Sequence, residues 1–470
     1  MPCLARDGGG AGAARRTGGL SHTSARVALA TLGCKVNQYD SQSLAELFRL
    51  HGFEVVDFDH PADVYVINTC AVTSTGERKS RQLIRRAARR AGGRAPVLVT
   101  GCLAQVAPQA TLGIPGVTAV VGTDRRARLV ELARRWVGHI AGGEGVPPTA
   151  IEVAPGLRRR RPPYEELPVS TFAGRCRATV KVQDGCDEGC TFCIVPHTRG
   201  LSRSRAPEAV VAEVRRLVEA GYREVVLSGV HLGLYGRDLG LEGGLVALLG
   251  RLESIPGTFR LRLSSLLPSS IDDRLIEWFG ISQRLCPHVH LSIQSGDDGV
   301  LASMGRRYRA EDVRRAVGAL RDRRPDLAVS ADIIVGFPGE TDSAFCRTAR
   351  LVADLEAFRL HVFPYSPRPG TAAAGRKPAV DVREKHRRLR QLQALGDELA
   401  GRFHARLVGR EVDVLVESPA APAAGTLEGV DEHYVRVRLD ARRIPGPGSL
   451  VRVRVVSAGT RWVQGVAVAG

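Results

Sequence analysis

No stretch of the 470-residue chain is long and apolar enough to span a membrane, and the Gly/Ala/Arg-rich start, Met1 to Ser24, lacks the apolar core of a signal peptide. Both absences argue against a membrane partner and predict a cytoplasmic protein. Acidic side chains are in deficit, 49 Asp and Glu against 67 Lys and Arg, for a formal charge of +18. That balance favours a polyanionic partner such as RNA over an acidic one. The ten cysteines do not read as a disulfide framework, because six of them fall into two chemically interpretable sets. Metal ligation in a reducing compartment fits them better.

The first set is Cys186, Cys190 and Cys193, spaced C-x3-C-x2-C, with no fourth cysteine at short spacing. Three thiolates on one loop can face a single inorganic centre, and either zinc or an iron-sulfur cluster satisfies them. A structural zinc site needs a fourth protein ligand, for which His197 or Asp187 is available. A 4Fe-4S cluster on three cysteines keeps one iron open, and such an iron can bind S-adenosylmethionine and pass it one electron. The spacing, with aromatic Phe192 just before the third cysteine, resembles the radical S-adenosylmethionine superfamily.

The second set is dispersed. Apolar runs at Arg26 to Leu32, Asp63 to Asn68 and Ala95 to Thr100 each lead into a cysteine, Cys34, Cys70 or Cys102. Helical patterns from about Asp40 to His51 and from Ser74 to Ala91 lie between them. The alternation predicts a doubly wound parallel α/β sheet, whose strands present their carboxyl ends along one edge. Three cysteines at three such ends can converge on a second 4Fe-4S cluster, or they can be buried small hydrophobes. The second helix carries Arg78, Lys79, Arg81, Arg85, Arg86, Arg89 and Arg90, a surface suited to phosphates or simply to solvent.

Residues 1–24 have the composition of a disordered tail, and 141–170, with its Gly, Pro and tetra-Arg runs, that of a linker. From 171 to 400 six apolar runs alternate with helical patterns, which suits a partial (β/α) barrel. The chemistry-bearing residues follow those strands: the cysteine loop, Ser228 to His231, Ser264-Ser265, Gln294 to Gly296 and Gly336 to Gly339. Asp332 is a polar residue inside the fifth run, either pointing into the barrel or structurally paired. A long basic helix is expected over Asp381 to Arg410, and period-two strands beyond it predict a small β-barrel within 401–470. Its Arg436, Arg438, Arg452 and Arg454 make a candidate basic face for RNA.

From about Arg26 to its end the chain resembles the radical S-adenosylmethionine methylthiotransferases. The resemblance implies a methylthiotransferase domain at 25–140, a radical domain at 171–400 and a TRAM domain at 401–470 that recognises substrate. It is carried by the two cysteine sets and by Thr31 to Asn37, Ile67 to Thr73, His290 to Gly296 and His361 to Ser366. These stretches look most like the branch acting on N6-threonylcarbamoyladenosine in tRNA. The resemblance implies a 4Fe-4S cluster on Cys186, Cys190 and Cys193 that cleaves S-adenosylmethionine, and an auxiliary one on Cys34, Cys70 and Cys102 that holds the inserted sulfur. It further implies cofactor contacts from Phe192, Ser228, Gln294 and Asp332, a 2-methylthio product at position 37 of the anticodon loop, and an electron donor such as flavodoxin or ferredoxin. The alternatives are isopentenyladenosine or a ribosomal-protein aspartate as substrate, or a zinc-stabilised RNA-binding module without catalysis.

Overall fold

The computed structural model describes residues 24–143, 148–172, 174–417 and 425–468. The tail expected at 1–24 lies outside them, apart from Ser24. The N-terminal sheet is six-stranded and parallel: β1 (Arg26–Thr31), β2 (Glu54–Val56), β3 (Val64–Thr69), β4 (Val97–Gly101), β5 (Ala119–Val121) and β6 (Ala150–Glu152), in the order β2-β1-β3-β4-β5-β6. Strands with largely apolar interiors, the central β3 and β4 buried along their whole length, suit a sheet covered on both faces. One face packs Ile67, Ile84 and Leu103, the other Leu44, Phe48 and Trp136. The sixth strand corrects the linker expected at 141–170, since Ala150–Glu152 pairs with β5 despite its Pro/Gly-rich flanks. The carbonyl of Arg160 in the tetra-Arg run likewise accepts from the Leu201 amide at 2.9 Å, so this segment is packed against the next domain.

Helix α1 spans Lys35–Leu50 and α2 spans Ser74–Ala91. The first begins five residues before the expected Asp40, because Cys34 itself occupies the N-cap position. In α2, Thr73 caps by accepting from the Gly76 amide, and Gly92 closes the other end at φ 55°.

The second domain carries β7 (Ala178–Lys181), the short antiparallel pair β8 (Gln183–Asp184) and β9 (Arg203–Ser204), then β10 (Glu224–Ser228), β11 (Arg260–Leu263), β12 (His288–Gln294), β13 (Ala328–Val335) and β14 (Arg359–Pro364). Two parallel three-stranded sheets, β7-β10-β11 and β12-β13-β14, are joined by isolated bridges at Leu261–Leu285 and Leu266–Leu291. The six long strands thus follow one another around an open, partial (β/α) barrel. Helix Val382–Leu407 runs out of it as one piece, so the strand pattern expected from 401 starts at Glu411.

The last domain is a closed barrel, β15 (Glu411–Glu417), β16 (Thr426–Val430), β17 (Arg436–Asp440), β18 (Leu450–Ala458) and β19 (Val463–Ala467), in the order β15-β16-β17-β19-β18. Its expected basic face is largely paired across strands. Arg438 meets Glu428, Arg452 meets Asp413, and Arg454 meets Glu411. The barrel docks through two arginines of β11. Arg260 donates to the carbonyls of Asp413 and Val430, and Arg262 to those of Asp431 and Glu432, while fully buried Glu224 holds both guanidinia.

A buried charge cluster joins the first two domains. Asp40 on α1 meets Arg126 and Arg199 at 3.0 Å each and Lys181 of β7 closely, and Asp184 meets Arg199 and Arg203. All six side chains are almost completely buried. Beside them Tyr39 donates to Glu213, which also pairs with Arg205. Among the described residues no helix is long and apolar enough to cross a membrane.

Candidate active site

Cys34, Cys70 and Cys102 stand at the carboxyl ends of β1, β3 and β4, neighbours in the sheet order β1-β3-β4. Glycine precedes two of them for a steric reason. Gly33 has φ 117°, and a Cβ there would fall 2.8 Å from Asn37 and 3.2 Å from the Cβ of Cys70. Gly101 has φ 93°, and its Cβ would meet Asn68 and the Thr69 carbonyl at 2.4 Å. Only glycine lets the chain turn this tightly at the sheet edge. Asn37 then braces the edge, donating to Leu32 O at 2.8 Å and Thr69 O at 2.9 Å, and Ser80 clamps Cys70 by bonding both its N–H and its carbonyl at 3.0 Å.

The three thiols feel one another. Burial pushes Cys34 and Cys70 up, Cys70 to about 11, and the charge on Cys102 adds to both shifts; Arg199 and the amides of Val36 and Asn37 pull Cys34 back. On the other loop, burial raises Cys186 to about 12 and Cys193 to about 11, against amide donors from Glu188 and Val195 at 3.4 Å. Burial likewise raises Cys190, which Arg306 offsets. Val195, two residues past Cys193, lines one cavity with Cys34 and Cys102, so the loop approaches the dispersed set across the domain joint.

Among the described residues, two groups of three His, Asp or Glu bring their ligand atoms within 4.8 Å of one another, and no cysteine belongs to either. A tetrahedral zinc with its 2.3 Å sulfur bonds would draw thiols closer than that. Asp187, a possible fourth zinc ligand, is engaged instead with the Ser202 amide at 2.7 Å and Arg161 at 3.4 Å. The N–H donors to sulfur and the flanking cations suit thiolates that hold an inorganic centre, and three cysteines per set fit a 4Fe-4S cluster with one open iron. Both ring nitrogens of buried His231, whose pKa burial and then Arg306 depress to about 4, lack a partner among the described residues. A bound group at the loop would satisfy them.

Beside Cys34 and Cys102, and reached from the cysteine loop by Val195 just past Cys193, lies a cavity of about 440 Å³. Cys34, Cys102, Val195, Arg199 and Ser228 line one side. The other side is built by side chains at every second position of the barrel strands: Arg262 and Ser264, His288, His290 and Ser292, Asp332, then Arg359 and His361. Asp332 accepts from His290 Nε2 at 3.0 Å and faces His361 Nδ1 at 3.2 Å, so the sequence expectation of an inward or a paired Asp is met by both at once. Burial pushes its carboxyl up, but the two imidazoles outweigh this and hold it below the usual range. A larger hollow of about 730 Å³ beside Arg26, Tyr65 and Arg90 contains none of these groups.

The other expected contacts are placed as follows. Phe192 packs edge-on against Phe337 at 6.4 Å and under Arg306, anchoring the loop, while Thr191 ties it to Ser303 and Met304. Gln294 ends β12 after a register shift, at φ 70°. Lys35, His290, Arg359, His361 and Tyr434 join the site beyond the residues expected from sequence; the period-two polar rows in otherwise apolar strands are the signal for those on β12 and β14.

Residues 180–352 match the family described as Radical SAM superfamily, and 26–122 match Uncharacterized protein family UPF0004. A solved radical S-adenosylmethionine methyltransferase, TsrM of Kitasatospora setae, shares the fold at a TM-score of 0.55 and 17% identity, covering 75% of this chain and 77% of its own. The fold and the cysteine loop thus define a radical S-adenosylmethionine protein. Two curated relatives are more specific. The threonylcarbamoyladenosine tRNA methylthiotransferase MtaB of Bacillus subtilis is 39% identical over 94% of this chain and 96% of its own. The protein of the same name from Thermotoga maritima is 39% identical over 92% and 95%. The chain belongs to this methylthiotransferase family.

Proposed function

We propose that the chain is a tRNA methylthiotransferase that places a 2-methylthio group on N6-threonylcarbamoyladenosine at position 37, beside the anticodon. The supporting observation is the cavity that Cys34 and Cys102 line from one domain, and that Val195, just past the cysteine loop, lines from the other. In this reading Cys186, Cys190 and Cys193 hold one 4Fe-4S cluster, and Cys34, Cys70 and Cys102 hold the auxiliary one. Together with S-adenosylmethionine the clusters supply a radical able to activate an unacidic aromatic C–H bond, and the sulfur that replaces the hydrogen.

The chain's own residues do the rest. Arg199 and Arg306 set positive charge beside the two thiolate sets. The polar wall from Ser264 to His361 faces the cavity where an adenine must lie, with Asp332 fixing both imidazoles. Only an unpaired base can enter such a pocket, which suits an anticodon loop. On α2, Arg78, Lys79, Arg85 and Arg89 are exposed and make no ion pair among the described residues, whereas Arg81, Arg86 and Arg90 are paired to Glu77 or Asp59. The four unpaired ones are the phosphate-facing candidates. A low-potential donor such as flavodoxin or ferredoxin supplies electrons, the enzyme works in the cytoplasm, and 25–140, 171–400 and 401–470 act as sulfur-holding, radical and substrate-docking units.

Mass spectrometry of tRNA nucleosides from a strain lacking this gene, beside its parent, tests the proposal. The expected result is loss of the 2-methylthio form with accumulation of N6-threonylcarbamoyladenosine. Loss confined to isopentenyladenosine, or an unchanged nucleoside profile, would refute it.

A further inference from the structure

The lining of the cavity around Tyr434 carries more positive charge than the protein neutralises. Tyr434, on the turn Asp431 to Val435 of the C-terminal barrel, sits at φ 74°, a conformation that costs a bulky residue energy. The turn is fixed by Asp431 Oδ1, which accepts from Val435 N at 2.7 Å, and by the Tyr434 amide donating to Asp431 O at 3.1 Å. Its ring enters a nest of cations: Arg359 at 4.6 Å from the centroid, Arg262 at 4.7 Å, Arg177 at 5.2 Å and Lys35 at 5.8 Å, with the His288 ring at 5.1 Å.

Two of those cations are spoken for. Arg262 pairs with Glu224 at 2.9 Å, and Arg177 with Glu417 at 2.9 Å. Lys35 and Arg359 line the cavity and have no carboxylate within ion-pair distance among the described residues; Arg359 makes only a 3.4 Å bond to the Tyr434 carbonyl. The excess charge registers on the phenol. Burial pushes Tyr434 up, yet Lys35, Arg177 and Arg359 bring it down to about 8. A half-buried guanidinium facing a cavity, without an anion of its own, is built to receive one.

We propose that Arg359, seconded by Lys35 and oriented by the Tyr434 ring, is a subsite for the carboxylate of the threonyl group carried by the substrate base. This rests on the function proposed above and adds the group by which the cavity tells such a base from an uncharged N6-alkyl one. A bidentate guanidinium–carboxylate pair in a partly dry pocket gives both affinity and orientation. Lys35 follows Cys34 directly, so Arg359 is the cleaner residue to change.

The experiment compares two synthetic anticodon stem-loops, one bearing N6-threonylcarbamoyladenosine and one bearing its threoninamide, with reconstituted wild-type enzyme and with Arg359→Gln. The wild type should prefer the acid by about 10- to 100-fold in kcat/KM, mostly through KM. The Arg359→Gln enzyme should lose that preference by weakening on the acid alone, and Arg359→Lys should restore part of it. Iron content and melting temperature verify that each variant is loaded and folded. Equal turnover of acid and amide by the wild type overturns the subsite without needing any variant to fold. An equal loss on both stem-loops in Arg359→Gln overturns it too, and assigns the arginine to a phosphate. A raised KM for S-adenosylmethionine instead would assign it to the cofactor's own carboxylate, again against the proposal. Wild-type enzyme that modifies neither stem-loop would fail the proposed function itself, a result distinct from acid and amide turning over alike.

Discussion

Replacing Asp40 by Asn should unseat the N-terminal domain from the radical barrel. The carboxylate is 1% exposed and meets three cations, Arg126 of its own domain and Lys181 and Arg199 of the next. Asparagine keeps the shape but removes the charge and turns an amide N–H₂ toward a guanidinium or ammonium. The cluster already has four cations, Arg126, Lys181, Arg199 and Arg203, and only Asp40, Asp184 and Glu165 to balance them. Removing one partner of a buried pair costs about 3–5 kcal/mol, on the order of a thousandfold in the docking equilibrium. Hydrogen exchange reads this directly. Protection should drop in Lys35–Leu50 and in Ala178–Lys181 together, while the closed C-terminal barrel keeps its own. The acid arm has a definite sign. Burial raises the Asp40 carboxyl, but Arg126, Lys181 and Arg199 outweigh it, so the folded pKa lies below the ordinary 3.8. Its contribution is therefore complete above about pH 4 and is lost as pH falls through the folded value. A variant within about 1 kcal/mol of the parent, with unchanged exchange in α1 and β7, would refute the idea that this cluster is the joint.

Three further outcomes are expected. Cys186→Ala should abolish S-adenosylmethionine cleavage, whereas Cys102→Ala should spare it, stop sulfur insertion and lower iron from about eight to about four atoms per chain; intact thiomethylation in Cys102→Ala would contradict the second cluster. Glu224→Gln should loosen the C-terminal barrel by about 3–5 kcal/mol, because it strips the buried charge from Arg260 and Arg262, and unchanged hydrogen exchange across 411–468 would count against that. Burial lowers His433, but Asp326 and Asp431 outweigh it and raise it to about 10. Its stabilisation should thus be complete below about pH 6.5 and fade between there and pH 10, a slope in the melting temperature that His433→Gln should flatten.

What the sequence made legible were the features whose cause is local. Strands ending in Gly33-Cys34 and Gly101-Cys102 stood out because an apolar run stops at a residue that only a sheet edge requires. The six barrel strands followed from their runs of β-branched and apolar residues, and the closed C-terminal barrel from period-two alternation. Ala150–Glu152 escaped because a three-residue edge strand among Gly and Pro has no periodicity to detect. The early start of α1 escaped because cysteine is not an ordinary cap. The joint could not be foreseen: Asp40 and Arg199 are 159 residues apart, and each alone is an ordinary charged residue. The pairing of Arg438, Arg452 and Arg454 was hidden for the same reason, since a strand's own alternation does not say which charges its neighbours present. Tyr434 gave no sign either, since nothing in the order Asp-Glu-His-Tyr tells that a turn will aim the ring into a different domain.

That turn makes the protein modular in an unusual place. The thiols, the loop and the barrel strands supply most of the cavity, while a short turn, clasped at its backbone carbonyls by Arg260 and Arg262 and tied through His433 to Asp326, adds the Tyr434 ring to its wall. Main-chain clasps are indifferent to the side chains between them. Evolution, or a designer, can therefore exchange the ring presented at Tyr434 for another group and change which bases the cavity admits, without moving a single sulfur.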